Sequence, residues 1–149
     1  MRERKSARLL IVNPAGAVLL FRFQHKDDAL AGRDYWATPG GGLEQGESFQ
    51  AAARRELREE TGIEVACVGE TVAERIFPML LPSGENVLAI EQYFVVRVQH
   101  PTLTRAQWTA AEAQVMADHH WWSADELRTT RSTVWPTGLL DLLQQVHAG

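Results

Sequence analysis

Glu56, Glu59 and Glu60 lie within five residues of one another in a segment rich in Ala, Arg, Leu and Glu, shortly after Gly40-Gly41-Gly42. At about 100° per residue, Phe49, Ala52 and Ala53 share one helical stripe, and the three glutamates continue it within roughly the same 100° arc. A face that starts apolar therefore ends in three carboxylates. Like charges held side by side against a core are costly and would partly protonate, so such a stripe implies a bound divalent cation. Oxygen ligands suit magnesium or manganese, not zinc. The plain alternative is a solvated acidic surface, but Arg54 and Arg58 occupy the opposite face and leave the carboxylates turned toward the fold. The three glycines permit backbone conformations closed to other residues and let a phosphate or metal approach the chain closely. Leading into a carboxylate helix, they read as the floor of a metal–phosphate pocket.

The elements that must position these groups follow from local chemistry. Ser48 is a suitable N-cap, Phe49 to Glu60 has helical composition, and Gly62 sits where a helix stops. Upstream, Arg8 to Asn13 and Ala17 to Phe23 read as strands of a hairpin turned at Pro14-Ala15-Gly16. Asp27 to Asp34 is a polar loop, and Tyr35 to Thr38 a short strand ending at Pro39 and the glycines, which no regular element tolerates well. Downstream, Val65 to Val68, Glu74 to Leu81 and Val87 to Val98 read as strands, with a turn at Pro82-Ser83-Gly84. After a loop from Gln99, Ala110 to Ala117 reads as a short helix and His119 to Trp122 as a strand. Ser123 then caps a helix through Arg128, and Thr137 to Val146 closes the chain as a helix. Strands alternating with few helices predict a mixed sheet covered on both faces.

The 149 residues suit one domain, 1–149, with 45% hydrophobic and 23% charged residues, which excludes disordered, collagen-like and coiled-coil readings. A net charge of -4 argues against a phosphate-backbone binder and hence against a duplex nucleic-acid partner. No apolar run approaches the ~20 residues that span a bilayer, and the stretch in MRERKSARLLIVNP is too short for a signal peptide. With Cys67 the one cysteine, read as a small core side chain, a reducing compartment is expected, and the protein reads as soluble and cytoplasmic.

The segment Gly40 to Ile63 resembles the Nudix box: Gly41, five residues, Glu47, seven residues, Arg55-Glu56-Leu57, one residue, Glu59-Glu60, one residue, then Gly62 and Ile63. Seven fixed identities at roughly 6% usage and two aliphatic positions at about 30% put a chance match near 10⁻⁹ to 10⁻¹⁰ per start position, so coincidence is no rival. The resemblance to this MutT-like hydrolase family implies an α/β fold, an α/β/α sandwich with a mixed β-sheet. It implies metal-dependent hydrolysis of a diphosphate linkage in a nucleoside diphosphate joined to another group, the cofactor being Mg²⁺ or Mn²⁺. Glu56, Glu59 and Glu60 would hold the metal, with the Gly40 carbonyl in its sphere and one carboxylate activating water. Gly41, Glu47, Arg55 and Gly62 would be structural, Arg55 bracing Glu47 although i,i+4 spacing also allows it to reach Glu59. A further acidic residue often completes such sites, and Glu91 and Glu112 are the candidates. Glu91 is favoured, because a strand positions a side chain better than a loop or short helix.

For the substrate, Arg22 could clamp a diphosphate with paired donors, with Arg75 and Arg33 as similar candidates, and Trp36 could stack a base. Phe21, Phe23, Phe77 and Phe94 read as core. His119 and His120 point to opposite faces of a strand and so read as structural. The resemblance leaves nucleoside triphosphates, ADP-ribose, dinucleoside polyphosphates and nucleotide sugars open as small-molecule substrates, and also leaves room for a homodimer. Pro78, fifteen residues after Ile63, has the spacing of ADP-ribose-cleaving members but no supporting motif. The rivals are a Nudix-type module that binds a nucleotide without cleaving it and a prenyl diphosphate isomerase on the same fold. The first usually loses box carboxylates that are kept here. The second needs a cysteine before the box, whereas Cys67 follows it.

Overall fold

The computed structural model describes residues 1–99, 103 and 107–148. Strand β1 (Glu3–Val12) begins at Glu3 rather than Arg8, because a parallel ladder with a later strand supplies backbone partners from Glu3↔Leu88 to Val12↔Arg97 whatever the polarity of the side chains. Strand β2 (Val18–Gln24) follows the turn, but the expected hairpin pairs only at Val12↔Val18. Beyond that point β2 diverges and takes β3 (Asp34–Ala37) and β7 (Met116–Trp122) as antiparallel neighbours. The edge of β1 left open at Ser6–Arg8 is filled by β4 (Gly40–Gly42).

The glycine segment is thus a short strand, not an irregular loop, and its composition has a steric cause. A Cβ on Gly40, whose φ is +139°, would stand 2.1 Å from the carbonyl oxygen of Ala7, so only glycine lets the two backbones pair this closely. Helix α1 (Phe49–Thr61) runs as expected from Ser48, whose hydroxyl accepts from the Ala51 N–H, to Gly62, which adopts a left-handed conformation and donates to the Arg58 carbonyl. Residues 65–68 form no strand; Val65 and Val68 are apolar because they pack on the core beneath α1. Strands β5 (Ala73–Leu80) and β6 (Asn86–Arg97) form an antiparallel pair.

The loop from Gln99 falls largely outside the described residues. Helix α2 (Ala110–Val115) precedes β7, which starts at Met116, ahead of the expected His119. Helix α3 (Ala124–Thr129), an unanticipated strand β8 (Val134–Trp135) parallel to β3, and helix α4 (Leu139–Ala148) complete the described chain. The sheet order is β5-β6-β1-β2-β3-β8, with β4 on β1 and β7 on β2.

Alternation along β1 and β2 builds two apolar layers. Leu9, Ile11, Leu19 and Phe21 pack against Ala52, Ala53 and Leu57 of α1. Leu10, Val12, Val18 and Leu20 pack against Leu139, Leu142 and Leu143 of α4. The mixed sheet therefore has a helix on each face, as the pattern of elements predicts. Two apolar assignments are corrected: Cys67 is exposed, lying in the irregular stretch after α1, and Phe77 is 37% exposed because β5 is the edge strand.

Candidate active site

Helix α1 packs its Ala52, Ala53 and Leu57 stripe on the sheet, and this fixes the rotation that turns Glu56 and Glu60 inward. Both are buried, with exposures of 7% and 4%. The Gly40 N–H donates to Glu60 Oε2 at 2.9 Å, joining β4 to the helix, and the Trp108 indole N–H donates to the Glu60 backbone carbonyl at 2.9 Å. Trp108 itself packs edge-on against Phe21. Gly41 faces the Glu56 carboxylate so closely that a Cβ there would lie 2.5 Å from Oε1.

One arginine ties this assembly together. Arg55 donates from Nε and Nη2 to the two oxygens of Glu47 at 2.9 and 2.8 Å, and from Nη2 to the Gly42 carbonyl at 3.0 Å. Its Nη1 reaches Glu56 at 2.9 Å and Glu59 at 3.2 Å. Arg55 therefore makes both of the contacts that the sequence left as alternatives. The hydrogen bond to Glu47 comes first among the influences that hold the Arg55 charge more firmly than usual.

Glu56, Glu60 and Glu112 each bring a carboxylate oxygen within 4.8 Å of the others. Burial raises the pKa of Glu56, opposed by Arg55 and reinforced by Glu59 and Glu112. Burial raises Glu60 well above the usual carboxylate range, and the charge of Glu56 adds to it, against the Gly40 N–H. One arginine does not neutralise this group. Three convergent hard oxygen donors with excess negative charge fit a divalent cation such as Mg²⁺ or Mn²⁺.

Glu91 does not join the cluster, contrary to the preference for a strand position. It faces the α4 side of β6, where its Oε2 accepts from Arg8 Nε at 2.9 Å and its Oε1 from the Tyr93 hydroxyl at 3.1 Å. Burial works against the Arg8 charge, but Glu91 and Tyr93 outweigh it and hold the guanidinium charged. Glu112 reaches the cluster because Thr109 starts α2 with a capping box, in which one Glu112 oxygen accepts from the Thr109 N–H. The box pattern T-x-x-E was readable in the sequence; the return of α2 to α1 was not. Glu59, with a side chain 29% exposed, lies at the rim of the site beside Arg55 and outside the convergent trio.

The proposed substrate contacts lie elsewhere. Arg22 stands between Phe21 and Phe23, which face α1, and so points to the other side of the sheet, where it forms a bidentate pair with Asp34 at 2.9 and 2.6 Å. Trp36 packs against the α4-side layer, with its ring 5.3 Å from that of Trp122. Arg75 is exposed on β5 opposite Glu91, and Arg33 is exposed in the loop after β2. None of the four is brought to the carboxylate cluster. His119 faces Phe21, and His120 pairs with Glu126 at 2.8 Å on the opposite face.

A sequence model described as the NUDIX domain matches residues 2–143, and the chain belongs to the Nudix family. It is 37% identical over 79 residues to an RNA pyrophosphohydrolase of Erythrobacter litoralis (53% of this chain, 45% of that protein). It is 44% identical over 62 residues to the nucleoside triphosphatase NudI of Escherichia coli (42% of each chain). The chain thus spans less than half the length of these curated relatives. The solution structure of the E. coli ORF135 protein superposes with a TM-score of 0.66 at 27% identity, covering 99% of this chain and 91% of that one.

Proposed function

We propose that this chain is a single-domain pyrophosphohydrolase that uses Mg²⁺ or Mn²⁺ to hydrolyse a phosphoanhydride bond in a nucleoside diphosphate linked to a further group. The observation that carries the reading is the convergence of Glu56, Glu60 and Glu112 within 4.8 Å, two of them buried, on a helix end braced by Arg55 and by the Gly40 N–H. A site used only to recognise a nucleotide has no need of three mutually repelling carboxylates. The names of the relatives, a pyrophosphohydrolase and a nucleoside triphosphatase, support an anhydride as the bond that is broken.

In this reading Glu56, Glu60 and Glu112 hold the cation, and the Gly40–Gly42 strand lets the phosphate chain lie against the backbone. Bound there, the cation supplies charge neutralisation on the phosphoryl oxygens and polarises phosphorus toward attack. A carboxylate of the group accepts the proton that attacking water gives up. Arg55 fixes the rotamers of Glu56 and Glu59 and leaves them little freedom to reorganise during the reaction. The single cysteine and the acidic balance support a reducing, cytoplasmic setting and a small nucleotide rather than a duplex.

The test is a panel of nucleoside triphosphates, ADP-ribose, dinucleoside polyphosphates and nucleotide sugars, incubated with magnesium and resolved by chromatography. Metal-dependent release of a nucleotide and a phosphorylated fragment from at least one compound is expected. Binding without cleavage throughout the panel contradicts the reading and favours a recognition module.

A further inference from the structure

The Trp108 indole N–H donates to the backbone carbonyl of Glu60 at 2.9 Å, in the last turn of α1. A helix leaves its final carbonyls without partners of its own. Here Leu57 is met by the Thr61 hydroxyl and Arg58 by the Gly62 N–H, while Glu60 receives its donor from outside the helix. The Trp108 ring also packs edge-on against the buried Phe21, with centroids 5.8 Å apart. Trp108 therefore holds two points at once, the end of α1 and the sheet beneath it.

The next residue, Thr109, is the N-cap of α2, and Glu112 closes its capping box. Glu112 Oε1 accepts from the Thr109 N–H at 3.0 Å, and the Thr109 hydroxyl accepts from the Glu112 N–H at 3.1 Å. The box fixes Glu112 relative to Thr109, but it lies within one segment and cannot by itself place that segment against α1. A helix of six residues is too short to be stable alone in water. The Glu112 carboxylate also comes within 4.8 Å of those of Glu56 and Glu60, and like charges at that spacing push α2 away. Something must hold Glu112 against that repulsion. Trp108, four residues before Glu112, grips the backbone of Glu60, the residue whose side chain Glu112 approaches. A ring thus closes from the Glu60 carbonyl through Trp108, Thr109 and Glu112 back to the Glu60 carboxylate.

We infer that Trp108 is a positioning residue for the cation site, a latch that docks the start of α2 on the end of α1 and so delivers Glu112 to Glu56 and Glu60. This rests on the cation-site reading above. Cation and latch are then linked: the cation removes the repulsion that opens the latch, and the closed latch presents the third carboxylate to the cation.

The test is Mn²⁺ binding to the full chain, read without substrate from the electron paramagnetic resonance of free Mn²⁺, for wild type, Trp108→Phe, Glu112→Gln and the double variant. Trp108→Phe keeps a ring against Phe21 and loses the N–H, so it should weaken Mn²⁺ binding by about 3- to 10-fold, the range of one hydrogen bond. In the Glu112→Gln background the same substitution should change binding by less than about twofold, because the residue that the latch delivers is already lost. A purely structural Trp108 would give the same loss in both backgrounds. That result overturns the latch, as does a Trp108→Phe protein that binds Mn²⁺ like the wild type. If Trp108→Phe fails to fold, exchange of the Trp108 indole N–H with solvent, followed by nuclear magnetic resonance, decides in its place. Saturating Mg²⁺ should slow that exchange at least about threefold in the wild type and not in Glu112→Gln; equal slowing in both, or none, overturns the latch. Should Glu60→Gln and Glu112→Gln both bind Mn²⁺ like the wild type, the cation site fails and the latch with it. A loss in those two but not in Trp108→Phe removes the latch alone.

Discussion

Glu60 is the side chain on which the site's electrostatics weigh most. It is buried, its carboxylate faces Glu56 and Glu112, and the Gly40 N–H is its one hydrogen-bond donor among the described residues. Glu60→Gln keeps volume and helix propensity while removing a charge. Turnover should fall by about 10²- to 10³-fold, as when one transition-state-stabilising group is lost, while in chelator the variant should melt at or above the wild-type temperature. Steady-state rates and thermal melts check both arms. Glu91 and Glu112 should separate by opposite signatures. Glu112→Gln retains a residue that can complete the capping box and should lose turnover with little change in stability. Glu91→Ala leaves Arg8 without its partner, and because both side chains are largely buried it should cost about 3 kcal/mol of stability, read by denaturant titration. Glu91 lies apart from the cluster, which was not legible because the sequence shows that a residue is on a strand but not which groups the neighbouring strand turns toward it. Arg8 is what claims it.

The element that makes the site is the three-glycine strand between β1 and α1. Gly41→Ala would drive a Cβ into the Glu56 carboxylate, a side chain that can move, so metal-dependent turnover should fall more than stability. Gly40→Ala meets the Ala7 backbone instead, at a positive φ, and should destabilise the protein by about 2–5 kcal/mol, the sum of backbone strain and overpacking. Comparing the two melting temperatures tests this ordering. Helix α1 was legible end to end because its cap, stripe and stop are local signals in Ser48, Ala52, Ala53, Leu57 and Gly62. The pairing of Gly40–Gly42 with Ser6–Arg8 was not, because it depends on β2 leaving β1 just past the turn. For the same reason β1 was read as starting at Arg8 rather than Glu3. Charges at alternating positions running into an apolar strand were the available signal.

For the whole molecule, the buried carboxylates should make stability depend on pH and, if they hold the proposed cation, on metal. The Glu60 pKa is raised above its ordinary value near 4.5, so between that value and the raised one the folded state binds more protons than the unfolded state. In chelator this stabilisation is fully present below about pH 4.5 and is lost as the pH rises through the folded pKa. The melting temperature of the wild type relative to Glu60→Gln should therefore fall as the pH is raised from 5 to 8 at ~0.15 M salt. Saturating magnesium should reverse the trend, since the cation binds the ionised form. At this scale the α/β/α layering was legible from element order, because strand periodicity and apolar composition are averaged over many residues. The side of the sheet on which Arg22 and Trp36 fall was not, since it turns on the register of β2 against β3 and β7.

The central claim is that one cation site, built by Glu56, Glu60 and Glu112, is the site of anhydride hydrolysis. A single Mn²⁺ titration of wild type, Glu60→Gln and Glu112→Gln, followed in parallel by bound metal and by turnover of the best panel substrate, tests it most directly. The account predicts that in the wild type binding and turnover rise together at the same metal concentration, and that both curves shift to higher Mn²⁺ in each variant. Full turnover in excess chelator, or variants that bind and turn over like the wild type, would contradict it.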